Sequence, residues 1–241
     1  MPEQRTFDRL CAMSPTLSVG LLTADLLALG SELALLERAG ARVAHVDVMD
    51  GCFVPMLTVG PPWMRALRTS LLKDAHLMIA DPIGKAADYV AAGADILTVH
   101  AEAGPHIHRV FQQLGKMTNS NDSARGLVRG VALNPGTALE VLDPLLDEVE
   151  MIVLLAVNPG WSGQAFIPAT FRRIERLRRM LEIQGRRVLI GVDGGITRSN
   201  IVDVAAAGAD IIVTGSAVFD GKAAEENARY MLSAIAPYRR T

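Results

Sequence analysis

His45 and Asp47 stand two residues apart in the run Val43-Ala44-His45-Val46-Asp47-Val48-Met49. The run is rich in valine and bounded by Gly40 and Gly51, the pattern of a buried β-strand. Side chains alternate across a strand, so His45, Asp47 and Met49 share a face. An imidazole and a carboxylate are costly inside an apolar layer unless compensated. The compensation is either a tight hydrogen-bonded pair or a shared divalent metal. His76 and Met78 share a face in Asp74-Ala-His-Leu-Met-Ile79, and Asp193 closes the apolar run Val188-Leu-Ile-Gly-Val192. Two imidazoles and two carboxylates suit one divalent ion of the Zn²⁺, Fe²⁺, Mn²⁺ or Co²⁺ type. A single buried histidine is more often a hydrogen-bonded core residue than a ligand. Four such residues at corresponding places on three strands favour the metal.

These strands belong to an alternating series. Strands are expected at Thr16–Leu22, Val43–Met49, Ala75–Ile79, Ile96–Ala101, Gly130–Leu133, Met151–Val157, Val188–Asp193 and Ile211–Thr214. Amphipathic segments lie between and after them, at Thr23–Ala39, Pro61–Leu72, Pro82–Ala92, Pro105–Met117, Thr137–Leu146, Pro168–Gln184, Thr197–Ala207 and Ala223–Ala236. Strands that alternate with helices form parallel sheets. Eight such units in 241 residues match a closed (β/α)8 TIM barrel, with active residues at the C-terminal strand ends. There His45, Asp47, His76 and Asp193 are expected to meet. Thr98, His100 and Glu102 share a face of the fourth strand; the latter two are expected to support the ligands from behind or to be satisfied polar groups at the barrel mouth. The phrase Ala-Gly-Ala recurs before strands at 39–41, 92–94 and 207–209, as helix stops with a C-cap glycine. Residues 1–14 read as an extension of a single domain spanning 1–241. The polar stretch 118–125 reads as a solvent-exposed, mobile loop on the N-terminal face, away from the chemistry.

Half of the residues are hydrophobic, enough for one large core, and the formal charge is −2. That balance recruits neither nucleic acid nor an acidic membrane surface. The arginines of 172–179 are expected on a solvated helix face or a subunit contact. Two cysteines, Cys11 and Cys52, exclude a disulfide framework. No apolar stretch has the length of a membrane span or signal peptide, so a cytoplasmic protein is expected.

Glycine-rich turns follow three successive strands: Asn158-Pro-Gly-Trp-Ser-Gly-Gln164, Asp193-Gly-Gly195 and Gly215-Ser216. Backbone amides in such turns accept anions without lysine or arginine, and a phosphate site after strands seven and eight is a recurrent barrel feature. A phosphorylated small molecule is the expected ligand. None of Lys73, Lys85, Lys116 and Lys222 falls at a C-terminal strand end, which argues against Schiff-base chemistry.

The stretches HVDVMDGCFVP (45–55), HLMI (76–79), TVHAEA (98–103), GVALNPGTALE (130–140), VNPGWSGQAFIP (157–168), VDGGI (192–196) and GADIIVTGSAVF (208–219) closely resemble the ribulose-phosphate 3-epimerase family. The resemblance runs in order over nearly the whole chain from residue 16. It implies a TIM barrel, a metal held by His45, Asp47, His76 and Asp193, and Asp47 and Asp193 as the acid/base pair that inverts C3 of a ketose phosphate through an enediolate. Phosphate contacts are implied at Gly160, Trp161, Ser162, Gly163, Gly194, Gly195, Gly215 and Ser216. His76 counts with the substrate contacts as well, Met49 and Met78 would wall the site from water or simply pack, and a homo-oligomer is implied. Six residues depart from the family pattern: Gly20 replaces a serine, Cys52 a histidine, Met56 an asparagine, Leu155 a methionine, Trp161 a phenylalanine and Ser162 a glycine. The competing readings are an epimerase for another ketose phosphate, such as allulose 6-phosphate or a tetrulose phosphate, and a non-catalytic phosphosugar-binding barrel.

Overall fold

The computed structural model describes residues 5–239. Eight parallel strands close in sequence order into a barrel: β1 (Thr16–Gly20), β2 (Val43–Met49), β3 (Leu72–Met78), β4 (Ile96–His100), β5 (Val128–Leu133), β6 (Met151–Leu155), β7 (Leu189–Asp193) and β8 (Ile211–Thr214), with β8 pairing back onto β1. The expected TIM barrel is therefore present. Helix α1 (Thr6–Met13) precedes β1, and α2 (Leu29–Ala39), α3 (Pro61–Ala66), α4 (Ala86–Ala91), α5 (Ile107–Leu114), α6 (Ala169–Ile183), α7 (Ile201–Ala207) and α8 (Ala224–Ile235) ring the barrel. The main core lies between strands and helices, where Leu17, Val46, Leu77, Phe111, Leu154, Ile174 and Ile212 are fully or almost fully buried.

Several expected helices are shorter. Thr137–Leu146 was expected as an α-helix; a 3₁₀ helix, Leu139–Leu145, stands there with Pro144 inside it, because proline has no N–H for an α-helical bond. The expected Thr23–Ala39 helix starts only at Leu29: Leu21–Thr23 is a 3₁₀ turn, and the Asp25 carboxylate accepts the Leu27 N–H at 3.0 Å, which holds the chain in a turn. The glycines of the three Ala-Gly-Ala phrases all have positive φ, at 92°, 98° and 105°, as C-cap residues require.

The extension ahead of β1 is built into the fold from residue 5 onward; residues 1–4 lie outside the described part. Leu10 of α1 is fully buried in a cluster with Val43, Leu72, Ile96, Val128, Met151, Leu189 and Ile211. These residues begin or nearly begin their strands, so α1 plugs the N-terminal end. Ser14 Oγ donates to Asp210 Oδ1 at 2.7 Å and the Thr6 N–H donates to the Arg125 carbonyl at 2.8 Å.

The 118–125 loop departs from the expected free loop. Most of its residues are exposed, but Asn119 is buried and donates to Asp95 Oδ1 (2.9 Å) and the Gly126 carbonyl (3.1 Å). Ser120 Oγ donates to the Val90 carbonyl and Asn121 Nδ2 to the Gly93 carbonyl. Short polar side chains here replace a backbone ladder. On α6, Arg173 donates to the carbonyls of Pro135 and Thr137, both at 2.7 Å, and the exposed arginines pair with acids, as in Arg176–Glu140 and Arg179–Glu175. No helix among the described residues is long and apolar enough to cross a membrane.

Candidate active site

Register assembles the polar cluster. Across β2 and β3, His45 faces Asp74, Asp47 faces His76 and Met49 faces Met78. Alternation puts all six on the barrel's inner face. Asp193 ends β7 beside them. One donor atom from each of His45, Asp47, His76 and Asp193 lies within 4.8 Å of every other. His45 Nε2 is 3.1 Å from Asp47 Oδ1 and 3.9 Å from Asp193 Oδ2. His76 Nδ1 is 3.4 Å from Asp47 Oδ1 and 3.3 Å from Asp193 Oδ2. Both imidazoles are buried, whereas the Asp47 and Asp193 side chains retain 22% and 15% exposure. The carboxylates thus reach the cavity and the imidazoles stand behind them.

The electrostatics favour positive charge at the centre. Burial works against an imidazolium at His76, but the Asp193 and Asp47 carboxylates outweigh it and lift its pKa to about 9. At His45 burial is likewise outweighed, here by Asp74 and Asp47, and the pKa stands well above the usual imidazole value. Asp47 is pulled well below the usual carboxylate range: burial would raise it, and His45 and His76 reverse that. The residues also fit a metal on a separate ground. His76 Nδ1 is buried without a hydrogen-bond partner although it points between two carboxylates. An orphaned ligand nitrogen in a two-nitrogen, two-oxygen set matches the borderline divalent ions.

Both histidines are backed from the other side. His45 Nδ1 lies 2.8 Å from Asp74 Oδ2, which also accepts the Ser18 hydroxyl at 2.7 Å. His76 Nε2 lies 2.9 Å from His100 Nε2, and His100 Nδ1 lies 3.2 Å from Glu102 Oε2. Burial lowers the His100 pKa. Burial would raise Glu102, but bonds from His100, Thr137 and the Asn134 N–H hold it near 2. Asp74 and Ser18 escaped the sequence reading. A third strand read from Ala75 leaves Asp74 outside it, whereas the strand begins at Leu72; the signal was Asp74 two residues before His76, on the same face. Thr58 was also missed. Its hydroxyl donates to the Asp47 carbonyl (2.7 Å) and accepts the Met49 N–H (2.9 Å), pinning the end of β2, and no local pattern marks it.

A cavity of about 450 Å³ opens over the cluster, within the ordinary range for small-molecule sites. Asp47, Met49, Met78 and Asp193 form its floor, and Gly160, Trp161, Ser162, Gly163, Gly194, Gly195, Gly215 and Ser216 line its walls. Met49 and Met78 cluster with Val54, Leu22 and Phe53. The β7 turn tolerates no side chain: at Gly195, with φ of 67°, a Cβ would lie 2.5 Å from the Phe166 nitrogen. Gln164 closes the β6 turn by donating to the carbonyls of Asn158 (2.5 Å) and Trp161 (3.1 Å). Of the six departures from the family pattern, Gly20, Met56, Trp161 and Ser162 line the cavity, while Cys52 and Leu155 do not; Cys52 is exposed and Leu155 is buried with the inward apolar residues of β6.

The profile of the Ribulose-phosphate 3 epimerase family matches residues 16–219. The chain is 42% identical over 202 residues to the ribulose-phosphate 3-epimerase of Bacillus subtilis, covering 83% of this chain and 89% of that protein. It is 44% identical over 219 residues to the enzyme of that name from Rhodobacter capsulatus, covering 90% and 89%. Among solved structures, 3-hexulose-6-phosphate synthase from Salmonella typhimurium superposes with a TM-score of 0.64 at 20% identity, covering 92% of this chain and 99% of that one. KGPDC from Streptococcus mutans does so at 0.67 and 18%, covering 93% and 99%. These two likenesses concern the barrel alone.

Proposed function

This chain belongs to the ribulose-phosphate 3-epimerase family, isomerases of carbohydrate phosphates, and we propose that it interconverts D-ribulose 5-phosphate and D-xylulose 5-phosphate. Inverting C3 requires removing a proton α to the ketone and returning one to the opposite face. Two separate proton-transfer groups do this most directly. The observation that carries this reading is the pair Asp47 and Asp193: they stand on β2 and β7, share two imidazoles, and both open onto one cavity. One aspartate, ionised, removes the C3 proton to leave an enediolate and becomes the carboxylic acid; the other, entering the turnover as the carboxylic acid, protonates C3 from the far side and becomes the carboxylate, so that the pair exchanges roles for the reverse reaction. Each carboxylate turns one oxygen toward the imidazoles; the second oxygen is the one assigned to the proton.

His45, Asp47, His76 and Asp193 would hold the divalent ion. When bound, it supplies a positive charge that stabilises negative charge developing on the substrate's oxygens. Met49 and Met78, with Val54 packed against them, limit water at the floor of the site. The amides of the turns at Gly160–Gly163, Gly194–Gly195 and Gly215–Ser216 would receive the phosphate, in the manner of glycine-rich turns that cradle anions.

A second reading is favoured by three residues that line the cavity, Gly20, Met56 and Ser162. They stand where the family pattern has serine, asparagine and glycine, which supports a different ketose phosphate, such as allulose 6-phosphate or a tetrulose phosphate, handled by the same proton chemistry. A panel of ketose phosphates in D₂O, with bound metal quantified in the same preparation, tests both. Deuterium entering C3 of ribulose 5-phosphate with the highest kcat/KM is the expected result. A higher value for another ketose phosphate selects the second reading, and no exchange on any of them overturns the assignment.

A further inference from the structure

His100 and Glu102 take no part in the proton transfers assigned above, yet they are joined to the cluster in one line. His76 Nε2 lies 2.9 Å from His100 Nε2, His100 Nδ1 lies 3.2 Å from Glu102 Oε2, and Glu102 Oε1 accepts from the Asn134 N–H (2.8 Å) and the Thr137 hydroxyl. The planes of the two imidazoles differ by only 15°, with centroids 5.0 Å apart. That separation is close to the Nε2–Nε2 distance plus two ring radii. The rings therefore meet end to end, as an N–H···N hydrogen bond requires.

Only one hydrogen fits between the two facing nitrogens, and the far end of the line decides whose it is. A backbone N–H can only donate, so Glu102 Oε1 accepts. An ionised Glu102 accepts at Oε2 as well, and His100 carries its proton on Nδ1. His100 Nε2 is then an acceptor and His76 Nε2 holds the hydrogen between them, so in the neutral imidazole that a cation requires, His76 Nδ1 is the bare nitrogen. That bare atom is the one lying 3.3–3.4 Å from Asp193 and Asp47. We propose that Glu102 and His100 are positioning residues that set the tautomer of His76 and so present its Nδ1 to a cation. His45 is set more directly, by the single carboxylate Asp74 on its Nδ1. Partners of this kind fix the orientation and tautomer of ligating histidines generally. Here an imidazole is inserted, which moves the decision out to the segment after β5 that holds Asn134 and Thr137. The inference rests on the reading of His76 as a metal ligand.

Glu102→Gln tests it, because the change keeps shape and reverses polarity. The Asn134 N–H forces the amide oxygen to the Oε1 side, so the amide NH₂ faces His100 Nδ1. His100 then protonates on Nε2, and His76 is driven to carry its proton on Nδ1, the ligating atom. The probe is zinc alone, with affinity measured by chelator competition and tautomers by long-range ¹H–¹⁵N spectra of histidine-labelled protein. In the zinc-bound native protein His100 is expected as the Nδ1–H tautomer and His76 as Nε2–H. In the Glu102→Gln protein zinc affinity is expected to fall about 10–100-fold, while Thr137→Val, which leaves Glu102 ionised, keeps both tautomers. An Nε2–H tautomer at His100 in the native protein, or unchanged zinc affinity in Glu102→Gln, overturns the relay. If Glu102→Gln does not fold, the native spectrum alone decides. A native protein that binds no zinc, or a His76→Asn variant that binds it equally well, instead overturns the metal reading beneath it.

Discussion

At one end of the barrel Leu10 sits among Val43, Leu72, Ile96, Val128, Met151, Leu189 and Ile211. Farther along the same inward faces β2 and β3 carry His45 beside Asp74, then Asp47 beside His76, then Met49 beside Met78. One strand thus passes from apolar to polar and back to apolar in steps of two residues, each about 6.6 Å along the chain. The lower layer needs only shape and is closed by a helix. The middle layer carries charge and is supplied with partners from behind: Asp74 and Ser18 for His45, His100 and Glu102 for His76. The two ends therefore separate stability from chemistry, and substitutions at each should fail in different ways.

The sharpest break is expected at the polar layer. Asp47→Asn and Asp193→Asn should each lower kcat for C3 epimerisation by about 10²–10⁴-fold, the usual contribution of a general acid or base. Circular dichroism should show the fold unchanged, since both side chains are near-isosteric. Near-native turnover in either purified variant would remove the two-carboxylate mechanism.

The opposite pattern is expected at the plug. Leu10 is fully buried, so Leu10→Ala should cost about 2–5 kcal/mol by cavity formation, read from urea unfolding. Turnover of the remaining folded enzyme should be unaltered, because Asp47 and Asp193, the proposed proton-transfer groups, lie farther along the strands, away from the plug. A loss of kcat larger than the loss of folded protein would show that the two ends are mechanically coupled.

How legible these layers were follows from where the information lies. His45, Asp47, His76 and Asp193 could be picked out because each is a polar residue in or closing an apolar run of period two, and the barrel followed from alternation of those runs with amphipathic segments. Asp74 carried a weaker signal, its place two residues before His76, because it stands at the polar-looking start Lys73-Asp74, where the strand boundary is ambiguous from sequence. Thr58 and Gln164 act through side-chain bonds to backbone across 3 to 11 residues, and no periodicity encodes such contacts. The 118–125 segment looked like solvent loop for the same reason: its asparagines are partners of Asp95 and Gly93, which are distant in sequence.

A smaller effect is expected from acid. Glu102 in the folded chain is held near 2, below the ordinary 4.5. Its stabilising contribution is full above about pH 5 and is lost as pH falls through that window toward 2. The stability gap between native protein and Glu102→Gln, measured with a chelator present, should be about 1–2 kcal/mol at neutral pH after solvent screening, and should close as pH falls through and below 2. A gap that is constant with pH would mean that the difference is packing and not charge.

The mildest change bears on the cavity wall. Gly20 has φ of −68°, a conformation open to any residue, and a Cβ there would sit 3.5 Å from Gly215 Cα, ordinary van der Waals contact. The fold therefore does not demand glycine at this position, unlike Gly195, and Gly20→Ser should alter stability by less than about 1 kcal/mol. What it adds is a hydroxyl at a position that now offers none, facing the same cavity as Asp47 and Asp193. If the missing hydroxyl tunes substrate choice, the ratio of kcat/KM for ribulose 5-phosphate over allulose 6-phosphate should rise by several-fold, about the 1 kcal/mol that one added hydrogen bond contributes. An unchanged ratio would place the selectivity elsewhere on the wall, at Met56 or Ser162, and would leave Gly20 as a position where the chain simply tolerates the smaller residue.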